Sequence, residues 1–237
     1  MKLFLLLLFT SVTMMAGVKI KSHSKGILSG ERVEYSTGKV KLFLKKSDTN
    51  SINLPVNDVV YVEQPKPDLV KFLQKAFEDG KHDAIAQKGA VILGQNYETG
   101  WGKKCAFFYI ISLIEEKKLA EAEKVIKKAK IQIPGIENSE DNKLISLAEK
   151  YLQYAKKDQV KLANLKTPES PLGKFYFYKL EGQLFEADMK DSLAVISYYK
   201  SLLLGAKMAE SAKVQKLIEN IYKEQGDPRK LPDLSKI

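Results

Sequence analysis

The stretch Tyr178-Lys179-Leu180-Glu181-Gly182-Gln183-Leu184-Phe185, continued after a turn by Ala194-Val195-Ile196-Ser197-Tyr198-Tyr199-Lys200-Ser201, decides how this chain folds. In the first half an aromatic, a glycine four residues on and an aromatic three further share one helical face. In the second half a small residue, an aromatic four later and a small residue three after that fit a second helix. The glycine and the small residues let two antiparallel helices approach closely. The same logic extends outward. Ala122 and Ala194 lie 72 residues apart, two units of 36, and Ala84 lies 38 before Ala122. A period near 34–38 residues built from helix pairs is the expected unit of a helical solenoid, which works by binding more often than by chemistry.

The remaining helices follow from apolar stripes of period 3.6. Leu69, Leu73, Ala76 and Phe77 form one, stopped by Gly80. Residues 83–97 carry a small face of Ala86, Gly89, Ala90 and Leu93, and Thr99-Gly100-Trp101-Gly102 breaks the pattern, with Trp101 expected to pack over the next repeat. Phe107, Ile110, Ile111 and Ile114 form a wide stripe, followed by Ala122, Val125, Ile126 and Ala129, a turn at Pro134-Gly135, and Leu144, Leu147, Ala148, Tyr151, Leu152 and Ala155. Ser170 as N-cap and Pro171 as first helical residue open a helix over 171–187, with others over 190–204 and 208–224. Among Phe175-Tyr176-Phe177-Tyr178, at least two aromatics must be core, since four consecutive helical positions point in all directions.

The region 68–226 resembles tetratricopeptide-repeat proteins, best in the unit 175–206, where Tyr178, Gly182, Phe185, Ala194, Tyr198 and Ser201 occupy the signature positions. The unit 103–134 keeps Ala122, Ile126, Ala129 and Pro134 but has Ala106 where a large aromatic is usual and Ile110 where a small residue is usual. The resemblance implies a right-handed array of three or four helix pairs whose first helices line a concave groove for a peptide or partner helix. The groove-facing positions it carries over are Lys104, Tyr176, Lys179, Gln183 and Glu186.

The first residues are of another kind. Lys2 precedes the apolar run Leu3-Phe4-Leu5-Leu6-Leu7-Leu8-Phe9, the positive and apolar regions of a secretory signal, with cleavage expected after Ala16 and an uncleaved N-terminal anchor as the alternative. The chain is therefore expected to be exported, in the periplasm or envelope of a bacterium, with no stable membrane span once the signal is removed. Residues 17–64 read as a small β-rich unit of four or five short strands, a meander or SH3-like barrel. Its cues are Arg32-Val33-Glu34-Tyr35, a turn at Ser36-Thr37-Gly38, the alternating Lys39-Val40-Lys41-Leu42-Phe43-Leu44-Lys45, and Val59-Val60-Tyr61-Val62. Pro65 and Pro67 make 65–67 an extended link, with Asp68 able to cap the helix after it, and 227–237 is a tail after Gly226-Asp227-Pro228. This composite resembles secreted bacterial proteins with a short β-domain ahead of helical repeats.

Chemistry is thinly represented. The lone Cys105 reads as a buried small hydrophobe, so no intramolecular disulfide forms. His23 and His82 have no ligand neighbour at metal spacing, and His82 beside Asp83 reads as a solvated turn residue. Gly94 to Lys104 fails as a phosphate loop in glycine spacing and in having Lys104 where Ser or Thr is needed. The expectation is a protein that is not an enzyme, with no cofactor, metal or nucleic-acid partner. It binds a protein or peptide, and self-assembly through terminal repeats is a further expectation. The net charge of +10 is spread out, with +4 in residues 17–66 from nine basic and five acidic residues. In the rival reading Lys39, Lys41, Lys45 and Lys46 of the β unit bind an anionic envelope polymer and the helices are a spacer.

Overall fold

A computed structural model describes residues 17–36, 38–96, 100–131, 140–163, 165–205 and 207–227. The expected signal at 1–16, the turn at Pro134-Gly135, Thr37 and the tail beyond Asp227 lie outside the described residues. The chain is mostly helical, with a small antiparallel β region at its start.

Among the described residues six strands, more than the four or five expected, form two three-stranded antiparallel sheets. They are β1 (Val18–Ser22), β2 (Gly26–Gly30), β3 (Arg32–Ser36), β4 (Lys39–Phe43), β5 (Ile52–Pro55) and β6 (Val59–Glu63), ordered β2-β1-β6 and β3-β4-β5. Alternation holds where expected: Val40 and Leu42 are buried while Lys39 is exposed and Lys41 half-buried. It stops at Phe43, which is also buried, under the Arg32 guanidinium 3.7 Å from its ring centroid, so the strand ends two residues before Lys45. Val18, Ile20, Val33, Val40, Leu42, Leu54 and Val59 form a core of their own, separate from the helical one. The β unit therefore does not lean on the helices for its burial.

Among the described residues eight helices form: α1 (Asp68–Glu78), α2 (His82–Gln95), α3 (Gly102–Glu115), α4 (Leu119–Ile131), α5 (Glu140–Ala155), α6 (Pro171–Ala187), α7 (Asp191–Gly205) and α8 (Glu210–Glu224). Ser170 caps α6 as read, accepting from the Gly173 amide at 3.1 Å with Pro171 at the first position. Asp68 does not cap α1; it sits inside the first turn after Pro67. On α1 the stripe is rotated by one residue, with Val70 buried and Leu69 exposed. On α2 Ala86, Gly89 and Leu93 are buried, but Ala90 is exposed.

Helix pairing rests on glycines set against rings. A Cβ at Gly182 would lie 2.4 Å from the Tyr198 ring, and one at Gly205 would lie 2.2 Å from the Phe175 ring. These contacts, with Ser201 Oγ donating to the Phe175 carbonyl at 2.9 Å, run in opposite directions along α6 and α7 and fix them as an antiparallel pair. Gly89 plays the same part against Tyr109 between α2 and α3, at 2.4 Å.

Five helices end identically. After α1, α3, α5, α6 and α8 the chain passes through a left-handed residue: Gly80 (φ 71°), Lys117 (59°), Lys157 (62°), Met189 (58°) and Gly226 (77°). In each, the following amide bonds back five residues: Lys81 to Ala76, Lys118 to Leu113, Asp158 to Gln153, Lys190 to Phe185 and Asp227 to Tyr222, at 2.8–2.9 Å. These are Schellman caps, recurring at intervals of 37, 40, 32 and 37 residues. Three of the five lack the glycine that such a conformation favours.

Two outcomes follow for stability. Gly182→Ala destabilises by about 1–3 kcal/mol, because the overpacked Tyr198 contact outweighs the gain in helix propensity of about 1 kcal/mol. Lys117→Gly and Met189→Gly each stabilise by about 0.5–1 kcal/mol, the relief of left-handed strain less the extra entropy of glycine in the unfolded chain. Urea unfolding of the three variants measures both signs.

Candidate functional site

The face of α6 that carries Tyr176, Lys179 and Gln183 is turned into the protein. Tyr176 is fully buried, and its ring centroid lies 5.5 Å from that of Phe77, 5.7 Å from Phe107, 5.7 Å from Tyr151 and 5.1 Å from Phe175. It joins α1, α3, α5 and α6. The Tyr151 hydroxyl donates to the Tyr176 carbonyl at 2.7 Å, while the Tyr176 hydroxyl and Gln183 Oε1 are buried with no hydrogen-bond partner among the described residues. Lys179 is 4% exposed, so neither it nor Tyr176 stands on an open groove wall. The expected groove-facing role of these two is corrected because the chain itself occupies this face: rings of α1, α3 and α5 enclose Tyr176, and Glu115 of α3 and Glu210 of α8 stand by Lys179. Glu186 is half-buried and accepts the Tyr198 hydroxyl at 2.6 Å within the α6–α7 pair. Gln183 is half-buried, and Lys104, also half-buried, lies apart from the other four in a cleft on α3.

What α8 brings is a carboxylate. Glu210, 2% exposed, stands 2.7 Å from Lys213, 3.6 Å from Lys179 and 3.8 Å from His82 Nε2. Lys179 and Lys213 also reach Glu115 at the end of α3, at 3.6 and 2.9 Å, and His82 Nδ1 pairs with Ser112 Oγ at 3.0 Å. Burial is the largest single influence on Glu210 and pushes its pKa up. His82, Lys179 and Lys213 together outweigh it and hold the carboxyl down at about 2. One backbone bond, Ala209 N–H to the Glu78 carbonyl at 2.9 Å, completes the contact of α8 with α1. His82 is thus no solvated turn residue; it is buried against Phe77, Ser112 and Glu210. Among the described residues no group of three or more His, Cys, Asp or Glu side chains is arranged to hold a metal ion. Cys105 is fully buried, and burial pushes its thiol up to about 12, which leaves it unreactive at neutral pH.

Beside this closure lies a cleft of about 620 Å³. Its walls come from α1 (Gln74, Glu78), the start of α6 (Pro171, Leu172), the end of α7 (Leu203, Leu204, Gly205) and the α7–α8 turn (Lys207, Met208). Phe108 and Lys104 of α3 and Lys66 of the proline link complete it. Trp101 fixes the link: its indole N–H donates to the Pro65 carbonyl at 3.2 Å, and Lys66 and Lys104 stand 5.4 and 5.2 Å from its ring. It packs over the linker as well as against the helical core. Lys66 Nζ also donates to Gln74 Oε1 at 2.6 Å, and Gln74 Nε2 donates to Glu78 at 2.7 Å. Asp141 feels the charge of Lys104, but burial is the larger influence and raises its pKa.

On the β unit, Lys39, Lys45 and Lys46 are exposed and Lys41 is half-buried. Acidic groups are interleaved with them. Lys41 pairs across strands with Glu34, and the Lys45 and Lys46 amides are held by the Asp48 and Glu31 carboxylates.

Comparison with protein-family models, with curated proteins and with solved structures found no match for this chain.

The depressed Glu210 gives a pH test. A carboxyl lowered from 4.5 to about 2 contributes stability that is present above the unfolded value and lost as pH falls from about 4.5 through 2. The shift corresponds to on the order of 3 kcal/mol. Glu210→Gln removes that portion of the acid dependence, and the difference between the wild-type and variant unfolding free energies shrinks between pH 5 and pH 2, on the order of the unfolded and folded values. A constant difference across that window would show that the carboxylate is not held by His82, Lys179 and Lys213. Tyr176→Phe deletes an unpartnered buried hydroxyl and raises stability by up to about 1 kcal/mol. A loss in thermal unfolding would reveal a partner for that hydroxyl.

Proposed function

We propose that this chain is an exported, non-enzymatic adaptor that holds a segment of a partner protein in the cleft between α1, α3, the start of α6 and the α7–α8 turn. The observation that carries the reading is the convergence of Lys66, Lys104 and Lys207, from three separate segments, around the apolar side chains of Phe108, Leu172, Leu203, Leu204 and Met208. An apolar floor with a few convergent polar groups is the usual form of a binding cleft. Leu203 is 82% exposed at its rim, an arrangement that nothing in the packing of the fold requires.

In this reading the helices are a tetratricopeptide-type array, closed by α8. The recurring Schellman caps and the Gly182–Tyr198 contact support that assignment. The concave face of α6 is self-occupied, so docking moves to the cleft. The β unit, two small sheets around their own core, is assigned as an SH3-like module carried ahead of the array. The apolar run at 3–9 supports export to the periplasm or envelope. Among the described residues no helix is long and apolar enough to cross a membrane. The rival, polymer binding by Lys39, Lys41, Lys45 and Lys46, is weakened by Glu31, Glu34 and Asp48 among them.

A photo-crosslinking residue at position 203 tests the reading, with one at the exposed Leu44 of the β unit as control. The expected result is an adduct from position 203 whose partner segment, identified by mass spectrometry and resynthesised as a peptide, binds the purified chain. Adducts from position 44 alone, or polymer recovered without protein, would transfer the function to the β unit.

A further inference from the structure

Charge and shape in the cleft define the chemistry of its occupant. Lys66, Lys104 and Lys207 face a single acidic lining residue, Glu78, whose carboxylate already accepts the Gln74 amide at 2.7 Å. Among the described residues none of the three lysines is ion-paired with a carboxylate, although ten other lysines outside the β unit form such pairs. Two of the three are pre-positioned. Lys66 is tied to Gln74 at 2.6 Å, and it and Lys104 both lie within 5.4 Å of the Trp101 ring centroid. A lysine held in place forfeits less rotamer entropy when it meets an anion. The start of α6, a helix of 17 residues, forms another part of the wall and adds the positive end of its dipole. Gly173 N–H is already taken by Ser170, so the helix contributes a field and no new bond.

The lining is also apolar. Phe108 is 1% exposed at the base, and Leu172, Leu203, Leu204 and Met208 line the sides. A small inorganic anion would leave that surface unused. A nucleic-acid base would need an open ring to stack on, and lysines stand over the Trp101 ring. We infer that the cleft takes an acidic segment of a protein, a short stretch with one aliphatic or aromatic anchor flanked by Asp or Glu. The anchor sits on Phe108 and the leucines, and the carboxylates meet Lys66, Lys104 and Lys207. This rests on the cleft being the docking site.

Three labelled synthetic peptides test it by fluorescence anisotropy against the full chain: a Leu or Phe anchor flanked by Glu and Asp, the same peptide with Gln and Asn, and the same with Lys. The acidic peptide is expected to bind at least about tenfold more tightly than the amide one. Its affinity is expected to fall as salt rises from about 50 to 500 mM, which shortens the screening length severalfold. Lys104→Glu with Lys207→Glu reverses the order, so that the Lys-flanked peptide binds best; Lys104→Gln with Lys207→Gln abolishes the acidic preference without reversing it. Unchanged thermal unfolding of both variants separates lost binding from lost folding. Equal, salt-insensitive binding of the amide peptide at the cleft would overturn the acidic specificity and leave the docking site standing. Displacement of the acidic peptide by pyrophosphate at concentrations that leave the amide peptide bound would assign a small-anion site and overturn it as well. If no peptide binds and position 203 yields no adduct, the docking reading itself falls.

Discussion

The fold depends on one buried carboxylate. Glu210 is the residue through which α8 meets α2, α3 and α6 at once, by way of His82, Lys179 and the Lys213–Glu115 pair. Without α8 in that place, Lys179 and His82 lose the carboxylate that stands between them. Burying such a set of charges costs desolvation that their mutual attraction only partly offsets, so its contribution to net stability is modest. Removing one member is another matter, because the remaining charges are then buried uncompensated. The network therefore acts chiefly as a register. An apolar contact tolerates sliding of α8 by a turn, whereas the Lys179–Glu210–His82 geometry does not.

The pairing of helices obeys a second constraint, close approach. Gly182 and Gly205 receive Tyr198 and Phe175, so α6 and α7 touch through aromatic faces at two points seven residues apart on each helix. Tyr198 then uses its hydroxyl on Glu186, and Ser201 returns a bond to the Phe175 carbonyl. The polar end of the buried Tyr198 ring is satisfied within the pair, which lets the two helices pack as a unit. The Schellman ends serve the same purpose at the tips, returning amides to carbonyls that would otherwise lack partners before the chain reverses.

Helix existence was legible because it depends on local periodicity, although Leu69 and Ala90, read as stripe members, are exposed. Ser170-Pro171, the Gly182–Tyr198 pairing and the burial of Cys105 all follow from short-range rules, and the structure agrees with each. The closure was not legible, since it joins residues as distant as Glu115 and Lys213, 98 positions apart. A signal was nevertheless present. Glu210 is in phase with Val214, Ile218 and Ile221, Lys179 with Tyr176 and Leu180, and His82 with Ile85, Ala86 and Gly89. An ionisable residue on a buried stripe needs a counter-charge, and two of opposite sign on different helices point to each other. The tetratricopeptide resemblance marks Lys104, but Lys66 and Lys207 join it only through tertiary packing, so the cleft was invisible in the sequence.

The closure and the cleft are mechanically one object. Lys207 and Met208 immediately precede Ala209 and Glu210, whose backbone and side chain fasten the turn to Glu78, Lys179 and Lys213. Glu78 itself lines the cleft. The turn at the cleft is therefore held by the bond between Ala209 and Glu78 and by the network behind it. A pre-formed cleft binds without first ordering its walls, and that entropy is spent on folding instead of on association. In the docking reading proposed above, a segment that bridges Lys207 to Lys66 or Lys104 would meet a turn already fastened by Ala209 and Glu210.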